Sequence, residues 1–327
     1  MSASFPTARP RRLRTSAAMR SLVADVSIRP GDLVLPMFVK EGISEPQPVS
    51  SMPGVVQHTR DSLRKAAAEA VHAGVGGLIL FGIPAVKDGR GSAADDPAGI
   101  VQLALRDLAS DLGRDTVLMA DLCLDEYTDH GHCGLLTPDG DVDNDATLQR
   151  YASIAVAQAE AGAAMVAPSG MMDGQVAAIR AGLDGAGHGN VAICAYSVKY
   201  ASAFYGPFRE AAECAPQFGD RGSYQQDPRS AAEAVRETLL DIEEGADIVM
   251  VKPAMAYLDI ISRLAASVHL PVAAYQVSGE YAMVKAAAAQ GWLDRDRVIA
   301  ETLTAIRRAG ASIILTYWAT EAARRLA

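Results

Sequence analysis

Short apolar runs alternate with longer amphipathic segments along most of this chain. Eight runs are apolar at almost every position, as expected of parallel strands that are buried on both faces. They begin at Leu33, Gly77, Thr116, Ala164, Val191, Asp247, Pro271 and Ser312. Alanine-rich segments of helical periodicity lie between them, including 62–73, 148–161, 231–244 and 280–290. Eight β-then-α units predict a (β/α)8 TIM barrel over residues 31–327.

A doubly wound open sheet is the alternative fold, because it would contain similar apolar runs. The number of units and the absence of a glycine-rich dinucleotide loop after the first run favour the closed barrel. The longest connection, residues 201–227, follows the fifth run and is rich in Gly, Tyr, Phe and Arg. Such a connection is typical of a lid over the mouth of a barrel.

The composition excludes several classes of partner. The chain has 327 residues, of which 50% are hydrophobic, so it can bury a full core. Its formal net charge of -9 argues against non-specific binding to nucleic acid. No apolar run approaches the roughly 20 residues that span a bilayer, so we expect no membrane partner.

Residues 1–30 differ in charge from the rest of the chain. The charged residues before the first acid, Asp25, are all arginines: Arg9, Arg11, Arg12, Arg14 and Arg20. Leu13, Met19 and Leu22 are interspersed with them, which favours an extended N-terminal arm that packs on another surface. An organellar transit peptide has a similar composition and is the alternative interpretation. We expect the arm and a cytoplasmic location.

Two adjacent strand candidates, the fifth and the sixth, end on a lysine. Catalytic groups of TIM barrels lie at the carboxyl ends of the strands, which is where Lys199 and Lys252 fall. Repulsion between the two charges and loss of solvent would lower the pKa of both amines, and neutral amines attack ketones. The alternative is that each lysine extends its amine to solvent or pairs with a carboxylate.

The third strand candidate and its following loop carry possible metal ligands. Asp121, Cys123 and Asp125 alternate along the chain, and Cys133 returns eight residues later. Two thiolates and a carboxylate can form a three-ligand site with an open position, as in catalytic metal centres. Zinc is the first expectation, and the carboxylate leaves a harder ion as the alternative. A disulfide between the two cysteines, or inert buried thiols, are other interpretations.

Several polar residues near this loop are candidates for supporting roles. His130 and His132 are expected as outer-shell partners of the ion or as substrate contacts. Asp121 faces the same side as the ligands and is therefore our first candidate for a proton carrier. Ser169, at the end of the fourth strand candidate, is a second candidate and is also expected to bind substrate.

Several segments resemble signature segments of the porphobilinogen synthase family, also called 5-aminolaevulinate dehydratase. They are MVKPAMAYLDI around Lys252, SVKYASAFYGPFR around Lys199, APSGMMDGQVAAIR from Ala167 and YQVSGEY from Tyr275. The likeness also includes PRRLR of the arm and VLPMFVKEG of the first strand candidate. It implies a TIM-barrel lyase, a hydro-lyase of tetrapyrrole and haem biosynthesis. Such an enzyme condenses two 5-aminolaevulinate molecules to porphobilinogen and releases two waters.

The resemblance assigns roles to the two lysines and to the lid. Lys252 matches the lysine that forms a Schiff base with the first-bound, P-side substrate, and Lys199 matches the lysine that binds the ketone of the second, A-side substrate. Phe204 and Tyr205 belong to the lid segment 201–227, which is expected to exclude water, and Tyr205 is also expected to bind substrate.

The resemblance also implies ligands for the two substrate carboxylates. Arg209 and Arg221 match residues that hold the A-side carboxylate, and Gln225 lies beside them. A guanidinium fork suits a planar carboxylate. Ser278 and Tyr317, which end the seventh and eighth strand candidates, match hydroxyls that bind the P-side carboxylate.

The metal motif departs from the pattern of the family. Zinc-dependent members resemble this chain but carry a third cysteine where Asp125 stands, whereas magnesium-type members replace the cysteines. We expect zinc on Cys123, Asp125 and Cys133. Glu237 matches a glutamate that anchors a stimulatory magnesium ion in some members. Its alternative interpretation is a solvated helix residue that pairs with a neighbour.

The family usually assembles as a homo-octamer in which the arm wraps around a neighbouring subunit, so we expect a homo-oligomer. Two other functions are alternatives. A class I aldolase also forms a Schiff base in a barrel, but it needs neither a second lysine nor the cysteine loop. An inactive barrel homologue with a regulatory or metal-storage role would not need both lysines and both arginines.

Overall fold

Eight parallel strands close into a barrel in the computed structural model, which describes residues 4–326. The described residues contain ten strands, namely β1 (Leu33–Lys40), β2 (Gln47–Pro48), β3 (Val56–His58), β4 (Gly77–Ile83), β5 (Val117–Leu122), β6 (Met165–Pro168), β7 (Ala192–Lys199), β8 (Ile248–Lys252), β9 (Val272–Gln276) and β10 (Ile313–Thr316). β1 and β4 to β10 form the barrel in chain order, and the pairing of β10 with β1 closes it. The predicted (β/α)8 barrel is confirmed, and the open sheet is excluded.

Helices follow most barrel strands and surround the barrel. They are α1 (Ala17–Leu22), α2 (Arg60–His72), α3 (Ile100–Leu112), α4 (Asn144–Glu160), α5 (Gln175–Gly185), α6 (Gly206–Ala211), α7 (Ala232–Glu244), α8 (Leu258–Ser267), α9 (Ser278–Ala289), α10 (Arg295–Ala309) and α11 (Ala319–Leu326). Several begin at a side-chain cap: Thr59 accepts from the Ser62 amide, and Asp143 accepts from the Ala146 amide. These caps explain why the helices start where the polar residues stand.

The barrel strands are buried on both faces. All seven residues of β4 and all five of β8 are buried, because side chains fill the barrel interior and helices cover its outside. This burial explains why the strands are almost continuously apolar in the sequence. A charged residue at a strand end therefore enters a low-dielectric environment.

The short hairpin of β2 and β3 was not predicted from the sequence. β3 pairs parallel with β1, and β2 pairs antiparallel with β3. Two and three residues are too few to produce a recognisable hydrophobic period. The hairpin supports the lid segment, because the Gln57 side chain donates to the carbonyl of Ala211 at 2.9 Å and the Ser50 amide donates to Glu210 at 2.9 Å.

Within residues 4–30 of the N-terminal arm no side chain is fully buried, and Ile28 is partly buried against the core of the barrel. A 3-10 helix (Pro10–Arg14) and α1 contain no buried residue, and Phe5 and Leu22 are 75% and 81% exposed. The first three residues of the predicted arm 1–30 and the last residue of the predicted barrel domain 31–327 lie outside the described residues. Within residues 4–326, no helix is both long and apolar enough to cross a membrane.

Candidate active site

The two predicted lysines share one compartment at the mouth of the barrel. Lys199 ends β7 and Lys252 ends β8, and the two residues are direct partners in the strand register. They are only 4% and 5% exposed. Both amines face the ring of Tyr196, with Nζ at 5.7 Å (Lys199) and 5.0 Å (Lys252) from the ring centroid. The interpretation that either amine extends to solvent is therefore wrong.

Aromatic rings surround the amine of Lys252. Its Nζ lies 4.5 Å from the ring centroid of Tyr275, 5.1 Å from Phe208 and 5.3 Å from Tyr205. Burial, followed by repulsion from Lys199, lowers the pKa of Lys252 to about 8. This shift has the predicted direction, and a pKa of about 8 leaves a usable fraction of the amine neutral near pH 7.

Lys199 lies in a different electrostatic environment. Its amine donates to the carbonyl oxygen of Ser169 at 2.5 Å. Burial lowers its pKa, but the negative charges of Cys133, Cys123 and Asp125 outweigh burial, so the pKa lies above its usual value. The prediction of two neutral amines is therefore wrong for Lys199. The acidic groups that stabilise its charge come from the loop after β5, and their proximity is not evident from the sequence.

Asp121, near the end of β5, is buried, and one of its carboxyl oxygens lacks a hydrogen-bond partner among the described residues. One carboxyl oxygen accepts from the Ser169 hydroxyl at 3.0 Å, and the other has no partner among the described residues. Burial raises the pKa of Asp121 to about 6, although Lys252 and Lys199 oppose the shift. A carboxyl group with this pKa exchanges protons near neutral pH, as the predicted role of proton carrier requires.

Three of the predicted metal ligands converge. Cys123, Asp125 and Cys133 are buried, and one ligand atom from each lies within 4.8 Å of the others. All four cysteines are free thiols, so the disulfide interpretation does not apply to this structure. Burial raises the pKa of Cys133, but a hydrogen bond from Cys123 and the charge of Arg221 outweigh it and lower the pKa overall. A thiolate beside a second sulfur and a carboxylate suits a soft divalent ion.

Arg221 joins the metal cluster to the lid segment. Its guanidinium donates to Asp125 at 2.8 Å and to the carbonyl oxygens of Gly131 at 2.9 Å and Cys214 at 2.8 Å. Burial raises the pKa of Asp125, but the charge of Arg221 outweighs it and the pKa lies below its usual value. Arg221 thus binds a protein carboxylate here, as well as being the predicted ligand of a substrate carboxylate.

The three predicted A-side ligands share one property. The Nε atoms of Arg209 and Arg221 and the Nε2 atom of Gln225 are buried and have no hydrogen-bond partner in the part of the chain that the structure describes. Buried N–H groups are rarely left without an acceptor. A bound carboxylate would supply one.

The two predicted P-side hydroxyls are engaged within the protein. Ser278 accepts from the Phe208 amide at 3.0 Å and donates to the carbonyl of Phe204 at 3.2 Å. The hydroxyl of Tyr317 lies 3.1 Å from that of Tyr275. Ser278 therefore links α9 to the lid in this structure.

The lid segment 201–227 packs directly against the barrel mouth. The Tyr205 hydroxyl donates to the carbonyl of Lys252 at 3.2 Å. A Cβ atom at Gly279 would lie only 2.5 Å from the carbonyl oxygen of Phe204, so this contact requires glycine. The lid segment therefore covers the strand end that carries Lys252.

His130 and His132, in the loop after β5 that carries Asp125 and Cys133, also contact the lid or the backbone. The two ring nitrogens of His132 lie 3.2 Å from the Tyr224 hydroxyl and 3.1 Å from the carbonyl of Phe218. His130 lies 3.4 Å from the carbonyl of Gly89 and accepts from the His132 amide at 3.1 Å. In this structure, both rings therefore hold the loop after β5 in position.

Several residues of the site were not predicted from the sequence. Tyr196, Tyr275 and Phe208 form the aromatic wall around Lys252, but in the sequence they resemble ordinary core residues. Glu126 is 2% exposed and one of its oxygens has no partner among the described residues. Burial, then the charge of Asp125, raise its pKa well above the usual value. Its position beside Asp125 was the only available signal.

Glu237 lies outside the barrel, on α7. Its side chain is half-buried, and burial followed by the charges of Asp173, Glu244 and Glu233 raises its pKa. The residue therefore lies in an acidic environment, away from the two lysines. The magnesium site remains a prediction.

A closed (β/α)8 barrel with two buried amines and a thiol–carboxylate cluster at its strand ends defines a barrel enzyme. The chain belongs to the delta-aminolevulinic acid dehydratase family, whose model matches residues 7–325. The predicted family is thus confirmed.

Similar proteins agree with this assignment. The chain is 66% identical to delta-aminolevulinic acid dehydratase of Mycobacterium tuberculosis over 322 residues, which cover 98% of each protein. It is 62% identical to the Streptomyces coelicolor protein of that name, over 99% of this chain and 98% of the relative. It also matches a crystal structure of the Toxoplasma gondii delta-aminolevulinic acid dehydratase (porphobilinogen synthase) in complex with the reaction product porphobilinogen. That match has a TM-score of 0.95 and 41% identity, and covers 97% of this chain and 91% of the other.

Proposed function

We propose that this protein condenses two 5-aminolaevulinate molecules to porphobilinogen with loss of two waters, as a hydro-lyase of tetrapyrrole biosynthesis. The observation that carries this proposal is the pair of buried lysines that end adjacent strands and face the ring of Tyr196. Membership of the family, and the product bound to the Toxoplasma gondii relative, support the same substrate and product.

Lys252 captures the first substrate. Its neutral amine attacks the ketone carbon, a C–N bond forms, and the ketone oxygen leaves as water after it has been protonated. The rings of Tyr196, Tyr275 and Phe208 keep the amine desolvated and favour its neutral form. The imine then acts as an electron sink and fixes the first substrate in the barrel.

The second substrate binds beside Lys199. Its carboxylate accepts hydrogen bonds from the unpaired N–H groups of Arg209, Arg221 and Gln225. The charged Lys199 amine polarises the ketone of this substrate. Asp121, with the Ser169 hydroxyl against it, exchanges the protons that bond formation and ring aromatisation require. Tyr205 and the rest of the lid exclude water while this happens.

The metal cluster is proposed to hold zinc through Cys123, Asp125 and Cys133, since two sulfur donors suit a soft ion. When bound, the ion would act as a Lewis acid toward the ketone of the second substrate. On the outside of the barrel, Glu237 is proposed to anchor a stimulatory magnesium ion, and the acidic residues around it support this.

The assembly is proposed to be a homo-oligomer, in keeping with the octamer usual for the family. The exposed apolar residues of the arm, including Phe5 and Leu22, would be covered by a second copy. The location is proposed to be cytoplasmic, because four free cysteines suit a reducing compartment.

Borohydride reduction in the presence of 5-aminolaevulinate tests the function. We expect a substrate adduct on Lys252, found by peptide mapping, and formation of the pyrrole in the absence of borohydride. Lys252→Ala should abolish both, whereas Lys65→Ala, a matched change at an exposed lysine of α2, should affect neither. Lys199→Ala should keep the adduct but lose pyrrole formation. An adduct located elsewhere would refute the proposal, and full turnover of Lys199→Ala would favour single-lysine chemistry of the aldolase type.

A further inference from the structure

The ends of β8 and β9 separate at the mouth of the barrel. The ladder between these two strands stops at the pair Val251↔Ala274. Beyond that pair, Lys252 is the register partner of a β7 residue, and Tyr275 is the register partner of a β10 residue. Backbone pairing between β8 and β9 therefore does not set the distance from Lys252 to the residues that follow β9.

The carboxyl group of Glu280, on α9, crosses this separation. Its Oε1 accepts from the amide of Met255 at 2.6 Å, and its Oε2 accepts from the amide of Val277 at 2.6 Å. Met255 lies three residues after Lys252 in the chain. Val277 immediately precedes Ser278, the first residue of α9. A single side chain therefore joins the segment that follows the reactive lysine to the segment that carries Ser278.

These contacts of Glu280 exceed those of an ordinary helix cap. A glutamate at the third helical position often accepts from the amide that precedes the helix, and the contact with Val277 is of this kind. That role needs one oxygen only, whereas the second oxygen binds a segment 25 residues away. Glu280 is completely buried, where a carboxyl group is tolerated only if it is hydrogen-bonded. The Gln276 side chain, 3.4 Å from the Met255 sulfur, is a second and weaker link across the same separation.

The spacing between Lys252 and Ser278 matters because the first substrate would bind at both residues. Lys252 is proposed to bind its ketone carbon, and Ser278 is predicted to bind its carboxylate. In 5-aminolaevulinate, two methylene groups separate these ends. For this contact the Ser278 hydroxyl turns toward the substrate from the carbonyl of Phe204, which is 3.2 Å away. A fixed spacing thus favours one length of oxo acid over another.

We propose that Glu280 is a positioning residue that fixes the spacing between the Lys252 amine and the Ser278 hydroxyl, so that the site selects 4-oxo acids. Ketones that lack the carboxylate, or that carry it on a longer chain, are then disfavoured. The role rests on the function proposed above, since both ends of this spacing bind the first substrate. Glu280 acts through the backbone amides of Met255 and Val277.

A purely structural role for Glu280 would have different consequences. General loosening of the barrel mouth would displace the Lys252 amine and slow its reaction with every ketone equally. Loss of the spacing alone would leave the amine reactive toward a ketone without a carboxylate, because Lys252 stays paired with β7. Two probes separate these roles. They are 4-oxopentanoate and pentan-2-one, in which a methyl group replaces the carboxylate.

The test measures the initial rate of borohydride-trapped adduct on Lys252, divided by the ketone concentration, for each probe. The unaltered protein should prefer 4-oxopentanoate. Glu280→Ala should lower this preference on the order of 100-fold, the size of effect that a misplacement of about 1 Å produces, while the rate with pentan-2-one stays unchanged. It should also weaken the discrimination against 5-oxohexanoate, which is one methylene longer.

Two control variants should keep the preference of the unaltered protein. Glu301→Gln changes an exposed carboxylate of α10, and Ala286→Gly weakens α9 at an exposed position away from Glu280. If Glu280→Ala does not fold, as judged by thermal unfolding, Glu280→Gln takes its place. The glutamine oxygen accepts from one of the two amides and its nitrogen cannot accept from the other, so the preference should still fall with pentan-2-one trapping unchanged.

Three results would overturn the proposal. They are an unchanged preference in Glu280→Ala or Glu280→Gln, an equal loss with both probes, and the absence of a preference in the unaltered protein. Failure of the unaltered protein to form any Lys252 adduct with 5-aminolaevulinate would instead refute the proposed function.

Discussion

The pH dependence of Lys252 can be predicted from its surroundings. An ordinary lysine, with a pKa of 10.5, is neutral in only about 0.03% of molecules at pH 7. A pKa of about 8 raises the neutral fraction to roughly 10%, which is a gain on the order of 300-fold in reactive amine. Burial is the larger cause of the shift, and the charge of Lys199 is the next.

Replacing Lys199 by methionine separates these two causes. Methionine has a similar length and keeps the compartment dry, but it removes the neighbouring positive charge. The pKa of Lys252 should therefore rise above about 8 and remain below 10.5, because burial still lowers it. The rate of imine formation near pH 7 should fall accordingly.

The assay measures the initial rate of borohydride-trappable adduct with a 4-oxo acid that lacks the amino group, so that no condensation follows. In the unaltered protein, the rate should rise with pH through a midpoint of about 8. Lys199→Met should move the midpoint to higher pH. A midpoint near 10 in the unaltered protein, or a shift to lower pH in the variant, would refute the electrostatic reasoning.

Three further predictions concern stability, substrate binding and metal. Lys252→Met should abolish trapping. It should also raise the free energy of unfolding by about 3 kcal/mol below pH 8, and this gain should disappear as the pH rises to 10.5, because the lysine of the unfolded chain is then also neutral. Denaturant unfolding at several pH values measures the gain. Arg209→Ala should raise the KM for the second substrate at least 10-fold with trapping intact, and an unchanged KM would contradict its role. Cys133→Ser should lower the amount of bound zinc, measured by mass spectrometry. Chelation of the unaltered protein should abolish activity until zinc is restored. Full activity of the metal-free protein would exclude the ion from the mechanism.

The sequence alone determined the barrel and the location of its chemistry. Continuous apolar runs arise because parallel strands are buried on both faces, and this burial applies at each position without knowledge of distant contacts. Lys199 and Lys252 follow such runs directly, so their placement at strand ends was predictable. Cys123, Asp125 and Cys133 are close in the chain, and their convergence followed from short-range spacing.

Only the tertiary structure decided the electrostatics and the fine geometry of the site. Arg221 pairs with Asp125 from 96 residues away, and the raised pKa of Lys199 depends on thiols from the loop after β5. The β-bulge of β7 opposite β8, which places Lys199 directly across from Lys252, leaves no periodic signal, because a single extra residue only becomes visible against the partner strand. Charge interactions and register depend on distances between segments that are remote in sequence, and folding alone brings those segments together.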